Sequence, residues 1–254
     1  MREIEGMSVL ITGGGSGIGA GTAEYFVDHG ARVTITGRRL DKVQEVADAL
    51  GTGCHATQGD VTVDADRRSM LAAAVEHGGG KLDVLINNAG NMYRGPIDEL
   101  TEDDLKHVFD TNVIGPMLLT GLAKEHLAET SGSVLFVGSV HVKRCFPGVS
   151  PYAATKGAIE TLVGVLAAEL GADGIRVAAV RPGAVFTEIN QRAGLFDDAE
   201  AKARLESMSG AHALGRIGTT TEIAEAFEYL ARAEWTTGAV LVVDGGLGLG
   251  ITNA

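Results

Sequence analysis

The chain alternates short, almost wholly apolar segments with longer segments in which apolar and polar positions repeat at the spacing of a helix. The short segments predict seven strands, over residues 8–13, 32–37, 53–58, 83–88, 132–138, 175–181 and 239–244. Strands that are apolar along nearly their whole length, rather than at every second position, are typical of a sheet covered on both faces. Between them, segments such as 41–50 and 65–77 contain alanine and charged residues at helical period.

These repeated strand–helix units predict the fold class. A helix between two strands favours a crossover connection, which makes the strands parallel. We therefore predict an α/β protein, a Rossmann-type three-layer sandwich with a mostly parallel sheet of about seven strands. No linker rich in proline, serine or charge interrupts the sequence, which predicts one domain over residues 1–254.

Residues 186–218 interrupt the alternation after the sixth predicted strand. An insertion at the carboxyl end of a strand lies where open α/β sheets bind their ligands. The segment therefore predicts a substrate lid, and a solvated surface excursion is the alternative.

Composition narrows the possible partners. The net charge of −12 repels the phosphates of nucleic acid, so we expect no nucleic-acid partner. The two cysteines, Cys54 and Cys145, form no C-x-x-C pair and have no histidine cluster beside them, which predicts reduced thiols and no metal site. We find no signal-peptide pattern and no run of roughly 18 apolar residues, and therefore expect a cytoplasmic protein without a membrane partner.

A glycine-rich turn, ITGGGSGIG, follows the first predicted strand. Glycine lets the backbone approach a phosphate closely, and a helix N-terminus offers free N–H groups and partial positive charge. Gly13, Gly17 and Gly19 give the spacing G-x-x-x-G-x-G, which differs from the common dinucleotide fingerprint and lacks the G-K-[ST] ending of a P-loop. The turn favours dinucleotide binding, and a merely tight turn is the alternative.

Three polar motifs follow in order along the chain. NNAG ends the fourth predicted strand, Ser139 closes the fifth, and YAATK sets Tyr152 and Lys156 four residues apart in a helical segment. Three more belong to the set: FDTNVIG with Asn112, RPG at 181–183 and VDGG at 243–246. In this order and spacing, and over essentially the whole chain, the sequence resembles the short-chain dehydrogenase/reductase family. A Y-x-x-x-K pair by itself is a weak signal; the ordered set is specific.

The chemistry of the set follows from the side chains. Positions i and i+4 share one helix face, so Lys156 is expected beside the Tyr152 phenol. A free phenol has a pKa near 10, and a neighbouring ammonium and an oxidised nicotinamide ring both favour its ionised form. Tyr152 is then the general acid in carbonyl reduction and the base in alcohol oxidation, while the Ser139 hydroxyl polarises the carbonyl oxygen. Taken singly, Tyr152 and Lys156 would be interpreted as a surface contact on a helix, and Ser139 as a residue that forms a turn.

The family resemblance adds roles that the residues alone do not give. It implies that Lys156 hydrogen-bonds the nicotinamide ribose, that Asn112 lies in a helix irregularity anchoring a water-linked proton relay, and that the protein is a homotetramer. It also implies cofactor contacts from Gly13, Gly15, Ser16, Gly17, Ile18, Gly19, Arg38, Arg39, Asp60, Val61, Asn88, Ala89, Gly90, Tyr152, Lys156, Pro182, Gly183, Val185 and Thr187.

The end of the second predicted strand bears on the choice of cofactor. A carboxylate there favours NAD, but the position is Gly37, and Arg38 and Arg39 follow. Two guanidinium groups suit the 2′-phosphate of NADP. Ser16 is an argument against NADP, because many NADP-dependent members of the family have a basic residue at this position of the turn. We expect NADP, with NAD as the alternative.

The sequence thus predicts an NAD(P)-dependent oxidoreductase that interconverts a secondary alcohol or hydroxyacyl group with its ketone. A cofactor-binding regulatory protein without turnover and a 3-oxoacyl-[acyl-carrier-protein] reductase are the alternatives. The substrate is a small carbonyl compound or alcohol that the sequence does not name. The loop between Ser139 and Tyr152 contains His141, Lys143, Arg144 and Cys145. Contact of His141 and Cys145 with substrate, a chemical role for His141, and attraction of an anionic group by Lys143 and Arg144 are the alternatives. Pocket lining or solvent exposure is favoured for the histidine, and solvation for the two basic residues.

Overall fold

The computed structural model of the protein describes residues 1–185 and 207–250. Seven strands form one parallel sheet in the order β3-β2-β1-β4-β5-β6-β7. They are β1 Ser8–Thr12, β2 Arg32–Gly37, β3 Cys54–Gln58, β4 Val84–Asn87, β5 Ser133–Val137, β6 Arg176–Pro182 and β7 Ala239–Val243. The predicted Rossmann-type sheet is confirmed, and all seven strands are parallel where the sequence predicted mostly parallel ones.

Seven helices of eight or more residues pack on this sheet within the described ranges. They are α1 Gly17–Asp28, α2 Leu40–Leu50, α3 Asp64–His77, α4 Glu102–Phe109, α5 Gly115–Glu129, α6 Ser150–Leu170 and α7 Thr220–Arg232. The segments predicted as helices from the charge pattern, 41–50 and 65–77, each begin one residue earlier than expected. Between α4 and α5, Asp110–Ile114 forms a π-helical turn.

The hydrophobic core consists of two layers, one on each face of the sheet. On one face of the sheet, Phe26 of α1 and Phe227 of α7 are fully buried against the strands. On the other face, Leu119 of α5 and Val163 of α6 are fully buried. Burying each of these side chains contributes about 1.5–3 kcal/mol. The strands are apolar throughout because both of their faces are covered, as the sequence pattern predicted.

The chain order of the sheet reverses between β1 and β4. From β1 the chain passes outward to β2 and β3, then returns to place β4 on the other side of β1. Helices that follow β1 and β4 therefore leave on opposite faces, which opens a crevice at the carboxyl ends of these strands. This is the position at which the fold binds ligands.

The predicted lid lies only partly within the described residues. Positions 186–206, which include Thr187, lie outside them. Of the remainder, Ser209–Ala211 forms one 3₁₀ turn, and Gly218 pairs with Val185 next to the end of β6. Among the described helices, none combines the length and apolar character that a membrane span requires.

Candidate active site

A cavity of about 650 Å³ opens at the carboxyl ends of the strands. Its walls are the segments that follow β1 to β6, which is where the order reversal of the sheet leaves the crevice. The sequence-predicted residues that line it are Gly13, Gly15, Ser16, Gly17, Ile18, Arg38, Arg39, Asp60, Val61, Asn88, Ala89, Gly90, Ser139, Tyr152, Lys156, Pro182, Gly183 and Val185. Gly19 and Asn112 lie behind the wall, and Thr187 is outside the described residues.

The glycine turn joins β1 to the N-terminus of α1 under tight steric limits. Gly13 and Gly17 have φ values of +70° and +56°, a region that side chains disfavour. A Cβ atom on Gly19 would lie 2.4 Å from the carbonyl oxygen of Gly13. Gly19 therefore allows α1 to pack against the turn, which differs from the direct cofactor contact expected for it.

A hydrogen-bonded brace holds this turn to the end of β4. The side-chain amide of Asn88 donates to the carbonyl oxygens of Thr12 and Gly13, at 2.8 and 3.1 Å. The Thr12 hydroxyl accepts from the backbone N–H groups of Asn88 and Ala89, at 3.1 and 3.0 Å. Asn88 thus lines the cavity while its side chain fixes the turn. Sequence reasoning missed Thr12, whose only signal was a polar residue ending an apolar strand.

The three predicted catalytic side chains meet at the opposite end of the cavity. Ser139 lies two residues beyond β5, and Tyr152 and Lys156 occupy the first two turns of α6. The side chains of Ser139 and Tyr152 both line the cavity. The ammonium of Lys156 lies 5.6 Å from the centre of the Tyr152 ring and donates to the carbonyl oxygen of Val137 at 2.7 Å. All three residues are buried.

Burial dominates the protonation of this group. It raises the pKa of Tyr152, while the neighbouring Ser139 hydroxyl and the positive charge of Arg94 act in the opposite direction. It lowers the pKa of Lys156 to about 8, because the ammonium is removed from water. Lys156 is not among the groups that lower the tyrosine pKa here, so the expected effect of its ammonium together with an oxidised nicotinamide ring stays a prediction. The phenol is protonated at neutral pH, which suits it to donate a proton.

Asn112 lies in the π-helical turn, so the helix irregularity implied by the resemblance is present. Its side-chain amide donates to the carbonyl oxygen of Asn91 at 2.9 Å and to the Thr155 hydroxyl at 3.0 Å. Its side-chain oxygen accepts from the backbone N–H of Asn91 at 2.8 Å. Asn112 therefore ties the loop after β4 to the helix that contains Tyr152.

The loop between Ser139 and Tyr152 is more tightly held than the sequence indicated. His141 Nδ1 lies 3.0 Å from the Ser139 hydroxyl oxygen, and the ring lines the cavity. Arg144 donates to the carbonyl oxygen of Leu247 at 2.9 Å and covers the Phe146 ring at 5.7 Å, so it is a bracing residue and not a solvated charge. Lys143 and Cys145, by contrast, are exposed.

Basic side chains surround the cavity beyond the end of β2. Arg38 and Arg39 are exposed and line it, and Lys42 in the first turn of α2 joins them. A Cβ atom on Gly37 would lie 3.1 Å from a methyl carbon of Val43, so this position has little room for a side chain. Sequence reasoning missed Lys42, although its place one helical turn after the arginine pair was visible.

Comparison with known proteins identifies the family. A family model described as enoyl-(acyl carrier protein) reductase matches residues 13–248. A glucose 1-dehydrogenase of Gluconobacter oxydans is 36% identical over 252 residues, which cover 96% of this chain and 92% of that protein. The chain belongs to the short-chain dehydrogenase/reductase family.

Two further members of the family bear on its chemistry. An L-fucose dehydrogenase of Oryctolagus cuniculus is 37% identical over 255 residues, covering 96% of this chain and 86% of that protein. The crystal structure of a 3-ketoacyl-(acyl-carrier-protein) reductase from Brucella melitensis complexed with NADH superposes with a TM-score of 0.87 at 31% identity, covering 96% of this chain and 99% of that one. The chain is thus an oxidoreductase of the short-chain dehydrogenase/reductase family, which uses a nicotinamide cofactor.

The residues of the cavity fit such a cofactor. Close backbone approach is available at the glycine turn, where a Cβ atom on Gly15 would lie 3.2 Å from a methyl carbon of Val43. The N-terminus of α1 begins at Gly17 and presents its positive end to the cavity. The Asp60 carboxylate accepts from the backbone N–H and the hydroxyl of Thr62, at 2.9 and 2.8 Å, which holds Asp60 in a turn at the cavity wall.

Proposed function

We propose that this short-chain dehydrogenase/reductase interconverts a secondary alcohol or hydroxyacyl group with its ketone, with NADP as the preferred cofactor. The observation that supports this most strongly is the buried group of Ser139, Tyr152 and Lys156 at one end of a cavity that has the glycine turn at its other end.

Each side chain has a defined task in the proposed reaction. When bound, a reduced nicotinamide would supply the hydride that reduces the carbonyl carbon. Ser139 hydrogen-bonds the carbonyl oxygen and stabilises the negative charge that develops on it, and Tyr152 gives that oxygen its proton. Lys156 would hold the cofactor ribose, as the family resemblance implies, and would add positive charge near the phenol. In the reverse direction Tyr152 takes the alcohol proton, which requires the phenol to ionise first.

The proton lost from Tyr152 must be replaced after each reduction. Lys156 lies next to Thr155, whose hydroxyl accepts from Asn112 at 3.0 Å. We assign the replacement of the proton to a path along Lys156 and the π-helical turn of Asn112, as the family resemblance implies.

A sugar or polyol is the substrate class that we propose first. Two relatives at 36% and 37% identity are named as dehydrogenases of glucose and L-fucose. The substrate end of the cavity includes polar side chains such as Asn91, Arg94 and His141, which suit hydroxyl groups. An acyl-carrier-linked 3-oxoacyl reductase is the second candidate, favoured by the likeness to the Brucella reductase. The net charge of −12 disfavours it, because an acyl carrier protein is itself recognised through complementary charge.

The cofactor preference rests on the arginine pair after β2. Arg38 and Arg39 line the cavity and offer planar guanidinium donors, and Lys42 adds a third positive charge. No carboxylate stands at Gly37, where it would favour the ribose hydroxyls of NAD. NADP is therefore the proposed cofactor.

Three further proposals concern the whole protein. The homotetramer agrees with the exposed apolar side chains on α5 and α6. A cytoplasmic location agrees with Cys54 and Cys145, which are both free thiols. One domain over 1–254 agrees with the single sheet of the described residues.

Steady-state turnover tests the proposed function. NADPH and NADH absorbance is followed against a panel of aldoses, ketoses, sugar acids, simple alcohols and 3-oxoacyl thioesters. We expect turnover with at least one polyhydroxylated substrate and a loss of at least about a hundredfold in kcat for Tyr152→Phe. Absence of turnover with the whole panel, or an undiminished rate in the variant, contradicts the proposal.

A further inference from the structure

His141, in the loop between Ser139 and Tyr152, contacts both of these residues. Its Nδ1 atom lies 3.0 Å from the Ser139 hydroxyl oxygen, and its backbone N–H donates to the same oxygen at 3.3 Å. Its ring meets the Tyr152 ring edge-on, with 5.4 Å between centres.

The hydrogen-bonding capacity of a hydroxyl group limits what these contacts can do. The Ser139 oxygen accepts at most two hydrogen bonds, and its single proton can be donated once. The backbone N–H of His141 occupies one acceptor position. If Nδ1 accepted the hydroxyl proton, none would remain for a carbonyl oxygen in the cavity. If Nδ1 carries a proton, it fills the second acceptor position, and the hydroxyl must direct its own proton elsewhere.

The surroundings of the ring favour a fixed, neutral imidazole. Phe146 packs against it with 4.9 Å between ring centres, and Tyr152 covers another side. Burial and the positive charge of Arg94 lower the pKa of His141 to about 4, so the ring is uncharged near pH 7. Only one of its two nitrogens then carries a proton, and the partner of that proton decides the direction of the Ser139 hydroxyl.

We propose that His141 is a positioning residue that donates from Nδ1–H to the Ser139 hydroxyl oxygen and thereby directs the hydroxyl proton toward the carbonyl oxygen of the substrate. This role rests on the proposed function, because it serves the carbonyl-polarising task of Ser139. It assigns His141 a part in the rate of the reaction without contact with the reacting carbon.

Three substitutions separate hydrogen bonding from packing. His141→Phe keeps an aromatic ring against Phe146 and Tyr152 but removes both nitrogens. His141→Asn keeps an amide donor at the position of Nδ1, and His141→Gln moves the amide to the position of Nε2. We expect His141→Phe to lower kcat about tenfold, His141→Asn to restore it to within about threefold of the wild type, and His141→Gln to resemble the phenylalanine variant. NADPH affinity and the thermal midpoint report that the variants are folded.

A double-mutant cycle with Ser139→Ala gives the decisive activity comparison. Because His141 acts through Ser139, His141→Phe should have no further effect on kcat once the hydroxyl is gone. Equal effects in both backgrounds, or failure of His141→Asn to restore the rate, would overturn the proposal.

Histidine NMR decides the proposal independently of activity. Nitrogen-15 spectra of the free protein distinguish protonated from unprotonated ring nitrogens, and the His141→Phe spectrum identifies the missing signal among the seven histidines. We expect a protonated Nδ1 at pH 7, with a shift toward the Nε2–H form in Ser139→Ala. An Nε2–H form in the wild type overturns the proposal whatever the turnover. Loss of turnover in the panel alone contradicts only the proposed function.

Discussion

Lys156 and Tyr152 are buried side by side, and burial opposes the charged form of each. The shift of the Lys156 pKa from 10.5 to about 8 corresponds to about 3 kcal/mol against the ammonium, at about 1.4 kcal/mol per unit. The carbonyl oxygen of Val137 offsets part of this cost. A buried charge that reduces stability is typical of a residue retained for chemistry.

Replacing Lys156 with methionine tests this cost. Lys156→Met removes the buried charge but leaves the Val137 carbonyl without this donor, which costs about 1–3 kcal/mol. We expect the free energy of unfolding in urea at pH 7 to be equal to that of the wild type or up to about 2 kcal/mol higher, while turnover falls at least about a hundredfold.

The difference in the free energy of unfolding between Lys156→Met and the wild type should also depend on pH. The pKa of Lys156 is lower in the folded protein than in the unfolded chain, so the unfolded chain binds more protons between pH 8 and 10.5. The wild type therefore gains stability as pH rises through that window. The advantage of Lys156→Met should therefore shrink above pH 8. A variant markedly less stable than the wild type, or a difference independent of pH, would contradict the assigned cost.

We expect Arg38 to set the preference between NADP and NAD. Arg38→Asp removes a donor for the 2′-phosphate and adds a charge that repels it, so the ratio of kcat/KM with NADPH to that with NADH should fall at least about tenfold. Arg68→Asp is the control, because Arg68 is exposed on α3 and lies outside the cavity wall. An unchanged ratio in Arg38→Asp would show that the phosphate is bound elsewhere.

The ordered set of motifs, and not any single residue, allowed the candidate site to be predicted from the sequence, but the contacts between its residues were not predictable. The contact between His141 and Ser139 depends on the path of a short 3₁₀ turn and on one side-chain rotamer. Neither leaves a periodic signal in sequence, so pocket lining or solvent exposure was the favoured expectation for the histidine.

Among the secondary-structure elements, the strands were predictable because a strand that is buried on both faces requires a short, continuous apolar segment. Few other structures require such a segment. The strand ends shift by a residue or two, as for β5, which stops at Val137 and leaves Ser139 beyond it. The π-helical turn at Asn112 has no compositional signal. It was expected only from the family resemblance.

The junction between β1 and α1 is the element most sensitive to added volume. Gly19→Ala would place a methyl group 2.4 Å from the Gly13 carbonyl oxygen and 2.5 Å from the Asn88 amide nitrogen. We expect a loss of about 1–3 kcal/mol in the free energy of unfolding and weaker NADPH binding.

Gly210→Ala is the matched control, since an added Cβ meets no atom within 4 Å there and the φ angle is not positive. Its effect on unfolding should stay within about 0.5 kcal/mol. Similar losses in the two variants would mean that close packing at the turn is not the cause.

At the scale of the whole molecule, exposed apolar side chains suggest where copies of the chain meet. Met117 and Leu118 on α5 and Val165 on α6 keep 45%, 49% and 49% of their surface exposed. The family resemblance implies a homotetramer in which the helices of Asn112 and Tyr152 are buried between subunits. The sequence could not show which faces remain apolar outside the core, because this depends on how the helices are rotated on the sheet.

Light scattering after gel filtration tests this assembly. We expect a mass of four chains for the wild type and a smaller species for Leu118→Asp, because a carboxylate at a buried contact is strongly unfavourable. Lys106→Asp on α4, whose side chain is solvent-exposed, is a surface control for the charge change. A monomeric wild type would contradict the tetramer, and an unchanged mass in Leu118→Asp would place the contact elsewhere.

The proposed reaction transfers a hydride to the carbonyl carbon and a proton from Tyr152 to the carbonyl oxygen. A single turnover with NADPH that carries deuterium at both C4 positions, and with a substrate identified from the panel, tests this when the product is examined by mass spectrometry. We expect one deuterium on the new carbinol carbon, formed at least about a hundredfold more slowly in Tyr152→Phe. A product without deuterium, or equal rates in the two proteins, would contradict the proposed reaction.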